Sequence, residues 1–279
     1  MSVIAFQGRP GAYSDLACRA ARPGWRSLAC RTFLETIEAV KLDQAQEGLL
    51  PCENSLAGRV PEIHTLLPES GLKIVGEHFQ RVEHALLGVK GAKLSDIKRL
   101  HTHPVALGQI RNFVKDHNLE AVAEFDTAGS AELVAEWNNK EDAAVASTLA
   151  AELYDLTILQ ENIEDAAHNT TRFYRVSKNA QNFDYDPGFP LMTTLLIQVK
   201  NIAGALFNVL SCFNEQKINM TRLESYMLDG TFTATQFLID VEGAPINDNL
   251  RKALSDLKNV SQELRVLGVY PRSPLRDKL

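Results

Sequence analysis

Hydroxyl, amide and imidazole side chains recur in this sequence in short clusters whose chemistry is the recognition of anions and hydroxyls. The clusters are Gly8-Arg9-Pro10-Gly11-Ala12-Tyr13-Ser14, Pro51-Cys52-Glu53-Asn54-Ser55-Leu56-Ala57-Gly58, His101-Thr102-His103-Pro104-Val105-Ala106-Leu107, Asp126-Thr127-Ala128-Gly129-Ser130, Ser147-Thr148 and Asn169-Thr170-Thr171-Arg172-Phe173. Most follow a short β-type run and precede a helical one. A helix starting at such a junction offers free N–H groups and a partial positive charge. In open α/β sheets, ligands bind beyond the carboxyl ends of the strands. Several junctions meeting in one cleft would hold a carboxylate without net positive charge. The same Ser, Thr, Asp and Asn residues are also preferred helix N-caps, so capping stands beside ligand contact at each position.

Other chemistries lack their signatures. There is no Walker lysine loop, no G-x-S-x-G elbow and no HExxH, and Gly8-x-x-Gly11 lacks the third glycine of a dinucleotide fingerprint. His101 and His103 would share a strand face, but no third ligand follows at typical metal-site spacing, which leaves helix capping or a supporting role. The net charge of −6 disfavours broad nucleic-acid binding. Cys18, Cys30, Cys52 and Cys212 form no CxxC pair, as in a reducing cytosol. No secretory signal is evident at Met1–Gly8, and no apolar run approaches the roughly 18 residues of a membrane helix. The expectation is a soluble, cytoplasmic protein.

The positioning elements follow from periodicity. Ser2–Phe6 reads as a buried strand, followed by a helix to about Ala21. Thr32 to Leu42 reads as a helix opened by a capping box of Thr32 and Glu35. Strands are expected at Glu47–Pro51, Lys98–His101, Ala121–Phe125 and Ala143–Ala146, with Pro104 in a first helical turn. Strands alternating with helices imply mostly parallel sheets. Asn179 to Pro190 reads as a linker. Beyond it the order is strand Thr193–Lys200, helix Gly204–Glu215, strand Met220–Tyr226, a hairpin at Asp229-Gly230, strand Thr231–Val241, a helix capped by Asn247 or Asp248, and strand Val260–Val269. This βαββαβ order is the ferredoxin-like split βαβ.

In their order and spacing, the clusters at residues 8–14, 51–58, 101–107 and 169–173 resemble those of prephenate dehydratases. The resemblance runs over residues 1–178. It continues into Gly204-Ala205-Leu206-Phe207 and Leu223-Glu224-Ser225, which are similar to the regulatory ACT domain joined to that family. It implies an α/β protein with a two-lobed, periplasmic-binding-protein-like catalytic domain at 1–178, a linker at 179–190, a ferredoxin-like ACT domain at 191–271 and a tail at 272–279. The implied reaction is the conversion of prephenate to phenylpyruvate, carbon dioxide and water in phenylalanine biosynthesis. Aromatisation drives it, and no redox or metal cofactor is required.

The resemblance implies that Thr171 is catalytic. A threonine hydroxyl is too weak an acid to give up a proton unaided, so Thr171 reads as a hydrogen-bond donor to the departing oxygen, with Glu53 or His103 as a supporting neighbour. Substrate contacts are expected from Glu53, Asn54, Ser55, Thr102, His103, Thr127, Ser147, Asn169, Arg172 and Phe173. For Arg172 the alternatives are a fork onto a carboxylate and a salt bridge, because strand alternation points it away from Thr171 and Phe173. Phenylalanine is the implied effector, with Gly204, Ala205, Leu206, Asn219, Glu224 and Ser225 around it. A homodimer or homotetramer is expected, since ACT domains commonly pair.

The sequence also departs from the family. Thr102-His103-Pro104-Val105 stands for Ser-His-Pro-Gln, which keeps the hydroxyl and loses the amide. Asp126-Thr127-Ala128 stands for Ser-Thr-Ala, and Asp126 is expected to point away from the site or to cap a helix. Ile63 replaces a usual Thr, and Glu224-Ser225-Tyr226-Met227 lacks the Arg-Pro of Glu-Ser-Arg-Pro. Arogenate dehydration, a non-catalytic small-anion sensor and a regulatory partner of another aromatic-pathway enzyme are the other readings.

Overall fold

The computed structural model describes residues 1–180, 190–227 and 234–277. The chain runs β1 (Val3–Gln7), α1 (Tyr13–Ala21), β2 (Arg26–Cys30), α2 (Phe33–Lys41), β3 (Glu47–Asn54), β4 (Gly58–Arg59), α3 (Pro61–Ser70), β5 (Lys73–Arg81), β6 (Ala85–Gly88), β7 (Arg99–Thr102), α4 (Pro104–Leu107), α5 (Arg111–Asp116), β8 (Glu120–Ala123), α6 (Thr127–Trp137), β9 (Asp142–Ala146), α7 (Thr148–Leu153), β10 (Thr157–Gln160) and β11 (Thr170–Ser177). It continues with β12 (Leu191–Gln198), α8 (Ala205–Glu215), β13 (Met220–Met227), β14 (Ala234–Glu242), α9 (Asp248–Val260) and β15 (Glu263–Pro271). The protein is a mixed α/β fold of two units, one of Met1–Ile63 with His78–Phe173 and one of His64–Glu77 with Tyr174–Leu279. Among the described residues no helix is long and apolar enough to cross a membrane.

In the first unit, β1 lies parallel between β2 and β3, and β11 follows on the far side of β3. Ile4, Phe6, Ala17, Cys18, Leu49 and Phe173 pack together as the core of this half. α2 begins as expected, with the Thr32 hydroxyl accepting from Glu35 N–H at 3.0 Å. The reciprocal bond differs from a capping box: Glu35 reaches Arg31 N–H at 2.9 Å instead of the cap residue. The unit's other sheet has the order β10-β6-β9-β7-β8. β7 pairs parallel with β8 and β9, whereas β6 runs antiparallel to its two neighbours β9 and β10. The sheets are therefore mixed rather than mostly parallel. β6 enters its sheet from β5, a strand of the other sheet, so no crossover within one sheet fixes its direction as parallel.

In the second unit, β12 to β15 form an antiparallel array of order β13-β14-β12-β15, with α8 and α9 as its helices. This is the expected βαββαβ order; the expected hairpin at Asp229-Gly230, most of the linker and the start of the third strand lie outside the described residues. One face carries the apolar core of Leu195, Ile197, Val209, Phe213, Ile239, Val241, Leu250, Ala253 and Leu257. The alternate residues Thr194 and Asp240 are fully buried and polar. Asp240 accepts from Tyr174 Oη at 2.9 and 3.0 Å and from Thr194 Oγ1 at 2.6 Å. Arg222 in turn donates to Tyr174 Oη at 2.8 Å and contacts His64 Nε2 at 2.6 Å. A buried carboxylate is tolerated only when its lone pairs are engaged in this way.

Candidate active site

A cleft of about 1010 Å³ opens in the first unit. Five of the expected residues line it: Asn54, His103, Thr127, Asn169 and Thr171. Asn54 ends β3, and its Oδ1 accepts from the N–H groups of Leu56 (2.9 Å) and Ala57 (2.8 Å). This Asx-type turn is what Asn provides at a strand end. Both acceptor contacts are backbone donors, so the amide orientation is fixed and Nδ2 faces inward. Nδ2 donates to Thr171 Oγ1 at 3.0 Å and to Asn169 Oδ1 at 2.8 Å. Thr171 therefore has a lone pair engaged by Asn54, and its own proton is directed elsewhere. A hydroxyl arranged like this has a proton available to an acceptor in the cleft.

The chain of contacts extends beyond the expected residues. Asn169 Nδ2 donates to Gln109 Oε1 at 3.0 Å, Gln109 Oε1 lies 2.8 Å from His84 Nε2, and His84 Nδ1 lies 2.8 Å from Tyr13 Oη. Tyr13, His84 and Gln109 all line the cleft. Burial is the main cause that holds the His84 imidazole below its usual pKa, opposed by the Gln109 bond and the Glu164 charge. Burial, reinforced by Glu164 and Glu83, pushes the Tyr13 phenol up. Tyr13 belongs to the first cluster, but neither His84 nor Gln109 falls in any sequence cluster. Gln109 also supplies an amide to the cleft despite the loss at Val105.

Six expected contacts are not among the cleft-lining residues, each with a local reason. Thr102 is fully buried and donates to Val145 O at 2.7 Å. Ser147 caps α7 and donates to Gly11 O at 2.6 Å. Ser55 accepts from Thr170 N–H at 3.0 Å and donates to His168 O at 2.9 Å, which fastens the end of β3 to β11. Phe173 lies in the core. Arg172 is buried, forms an ion pair with Glu53 at 2.8 Å and stacks over Phe79. Glu53 thus has one carboxylate oxygen on Arg172.

His103 caps α4, its Nδ1 accepting from Val105 N–H at 3.2 Å. His101 is buried between Glu124 (3.0 Å) and Asp142 (3.1 Å). Asp126 caps α6 by accepting from Gly129 N–H, and it also reaches the cleft, where Arg9 lies 3.3 Å away. Arg9 and Arg31 are the cationic side chains of the cleft lining, and the sequence clusters singled out neither for charge. Each is paired, Arg9 with Asp126 and Glu132 and Arg31 with Glu35. An incoming carboxylate would compete for them.

The glycines of the first cluster shape this wall. Gly11 has φ +84°, and an added Cβ would sit 3.0 Å from Ala150 Cα. The loop is held there by Ser147 on Gly11 O and by Tyr154 Oη on Pro10 O at 3.1 Å.

The second unit holds a smaller pocket of about 440 Å³ at the start of α8. Ala205, Leu206 and Ser225 line it together with Val199, Leu223 and Phe237. Gly204 is the N-cap of α8 in the left-handed conformation. Asn219 and Glu224 are not among the lining residues.

A family model described as prephenate dehydratase matches residues 4–181. The chain belongs to the prephenate dehydratase family. The members of this family are lyases, and this chain is an enzyme of that class. A protein of Komagataeibacter europaeus described as a bifunctional N-acyl-homoserine lactone acylase/prephenate dehydratase is 59% identical over 276 residues, covering 99% of this chain and 98% of the relative. The chloroplastic arogenate dehydratase/prephenate dehydratase 1 of Arabidopsis thaliana is 33% identical over 98% of this chain and 73% of that protein. The crystal structure of prephenate dehydratase from Arthrobacter aurescens in complex with L-Phe superposes with a TM-score of 0.87 at 28% identity, covering 97% of this chain and 90% of that one.

Proposed function

We propose that the protein converts prephenate to phenylpyruvate in phenylalanine biosynthesis and that phenylalanine regulates it. The observation that carries this reading is the Asn54–Thr171 contact, which leaves a hydroxyl proton directed away from Asn54 at the edge of a cleft lined by amides and two arginines. Thr171 donates to the departing hydroxyl, Asn54 and Asn169 orient it, and Thr127, Arg9 and Arg31 are the candidate partners of the two carboxylates. Residues 191–271 act as an ACT-type regulatory domain, and 1–178 as a two-lobed catalytic domain. The pocket lined by Ala205, Leu206 and Ser225, with Val199, Leu223 and Phe237, offers apolar walls to phenylalanine, and the Arthrobacter relative is described in complex with L-Phe. We also assign a cytoplasmic homo-oligomer.

Two further readings have specific support. Arogenate as substrate is favoured by the names of the plant relatives. Amide hydrolysis of N-acyl homoserine lactones is favoured by the name of the 59% identical Komagataeibacter protein, and by the apolar side of the cleft with Val82, Val105 and the highly exposed Phe125. The deciding experiment presents each of the three substrates separately to the purified protein, with and without phenylalanine. Phenylpyruvate from prephenate at the highest kcat/KM, suppressed by phenylalanine, supports the main reading. Faster turnover of arogenate or of the acyl lactone replaces it.

A further inference from the structure

The hydrogen-bond directions around the cleft define one proton position that Thr171 does not use. Because Asn54 is fixed by two backbone donors, Asn169 must turn its oxygen to Asn54 and its NH2 to Gln109. Gln109 therefore presents its oxygen to His84, and a carbonyl oxygen accepts two bonds. His84 Nε2 is consequently a donor, 2.8 Å away. The other ring nitrogen, Nδ1, lies 2.8 Å from Tyr13 Oη, and the same hydroxyl lies 2.8 Å from Glu83 O. A phenol has one proton. With a neutral His84 it satisfies only one of these two acceptors. With a second proton on His84, Nδ1 donates to Tyr13, Tyr13 donates to Glu83 O, and every contact is made.

Burial, opposed by the Gln109 bond and the Glu164 charge, disfavours that second proton in the free protein. Glu164 accepts from His84 N–H at 2.9 Å, and Glu83 is paired with Arg81 at 3.3 Å. Asp165 is engaged by the N–H groups of Arg111 and Asn112. Arg9, Arg31, His103, Glu124 and Asp126 complete the charged and titratable groups of the cleft lining. His84 itself is only 2% exposed.

Building on the prephenate reading, we propose that His84 is the proton store of the elimination and that Tyr13 delivers the proton to the departing oxygen. The reaction requires such a proton. The bond from the ring to its carboxylate breaks and its electron pair enters the ring, while the C–O bond to the hydroxyl breaks with its pair on oxygen. One proton on that oxygen makes water, so the prephenate dianion plus a proton gives the phenylpyruvate monoanion, carbon dioxide and water. The charge of the bound dianion favours the imidazolium, so substrate recruits the proton it will consume. In the reaction the Tyr13 hydroxyl turns from Glu83 O to the departing oxygen, and as it gives up that proton it takes the one on His84 Nδ1. His84 acts through Tyr13 and holds no substrate atom.

The test is the pH profile of kcat for phenylpyruvate formation by the wild type, His84→Gln and Tyr13→Phe. Gln can keep an N–H donor toward Gln109 but cannot store a proton. The expected wild-type kcat falls toward high pH, and each variant is lowered about 100-fold with that dependence flattened. Circular dichroism establishes that each variant is folded, and Tyr13→Phe carries the test alone should His84→Gln fail to fold. Wild-type turnover together with variants that keep its rate and pH profile overturns this inference alone. A folded wild type that makes no phenylpyruvate at any pH removes the prephenate reading, and this inference with it.

Discussion

Asn54 Nδ2 lies 3.0 Å from Thr171 Oγ1 across 117 residues of sequence, and it occupies a lone pair of that hydroxyl. The contact converts an ordinary strand threonine into a donor of defined direction. Asn54→Asp tests this, because a carboxylate still accepts from Leu56 and Ala57 N–H but turns the Thr171 proton inward. The expected result is a kcat lowered about 100-fold with a much smaller change in KM. Wild-type kcat in the Asn54→Asp variant would show that the direction of the Thr171 hydroxyl does not matter.

The Gly11 turn is a packing requirement. Gly11→Ala places a Cβ at φ +84° and 3.0 Å from Ala150 Cα. The expected cost is about 2 kcal/mol of stability, from strain of the kind that non-glycine residues carry in this region. Urea unfolding measures it, and an unchanged midpoint would mean that the loop relaxes away from α7.

Asp240 is the anchor of the polar face in the second unit. Asp240→Ala removes the carboxylate that accepts from Tyr174 and Thr194 in a fully buried site. Destabilisation by about 3 kcal/mol is expected, read as a lowered unfolding midpoint. Phenylalanine binding should weaken in the same variant if this unit is the regulatory one.

Acid stability should report on Asp142. Hydrogen bonds from Arg99, at 2.6 and 3.0 Å, are the largest cause holding its carboxyl below the usual value of 3.8; His101 and Asn139 assist, and burial opposes them. A carboxyl with a lowered folded pKa adds stability that is present above the unfolded pKa and is lost as pH falls through the folded one. Asp142→Asn should therefore melt below the wild type at pH 7, and the gap should close as pH drops below about 3.8. A gap that is constant with pH would assign the effect to packing alone.

How far the sequence could be read depended on whether an interaction was local. Thr32 caps α2 and Asp126 caps α6 because a cap bond spans only three residues, so type and spacing suffice. Thr171 and Asn54, which line the cleft, could be picked out as candidates because each belongs to an ordered cluster of distinctive types. Thr102 and Ser147 have the right hydroxyls, but whether such a group faces a ligand or the backbone is settled by neighbours such as Val145 O and Gly11 O, 43 and 136 residues distant. His84 and Gln109 sit in segments without any cluster. Only the fold brings them to Tyr13 and Asn169, over separations of 71 and 60 residues. The reversed direction of β6 was hidden for a related reason, since strand direction follows from connection and not from composition.

Phenylpyruvate formation from prephenate by the wild type, Thr171→Ser and Thr171→Val tests the donor role of Thr171 most directly. Val keeps the shape of the side chain and removes its proton, whereas Ser keeps the hydroxyl. Thr171→Ser is expected to retain turnover within about tenfold of the wild type, and Thr171→Val to lose about 1000-fold in kcat, both proteins remaining folded. Turnover of prephenate at the wild-type rate by the Thr171→Val variant would contradict that role.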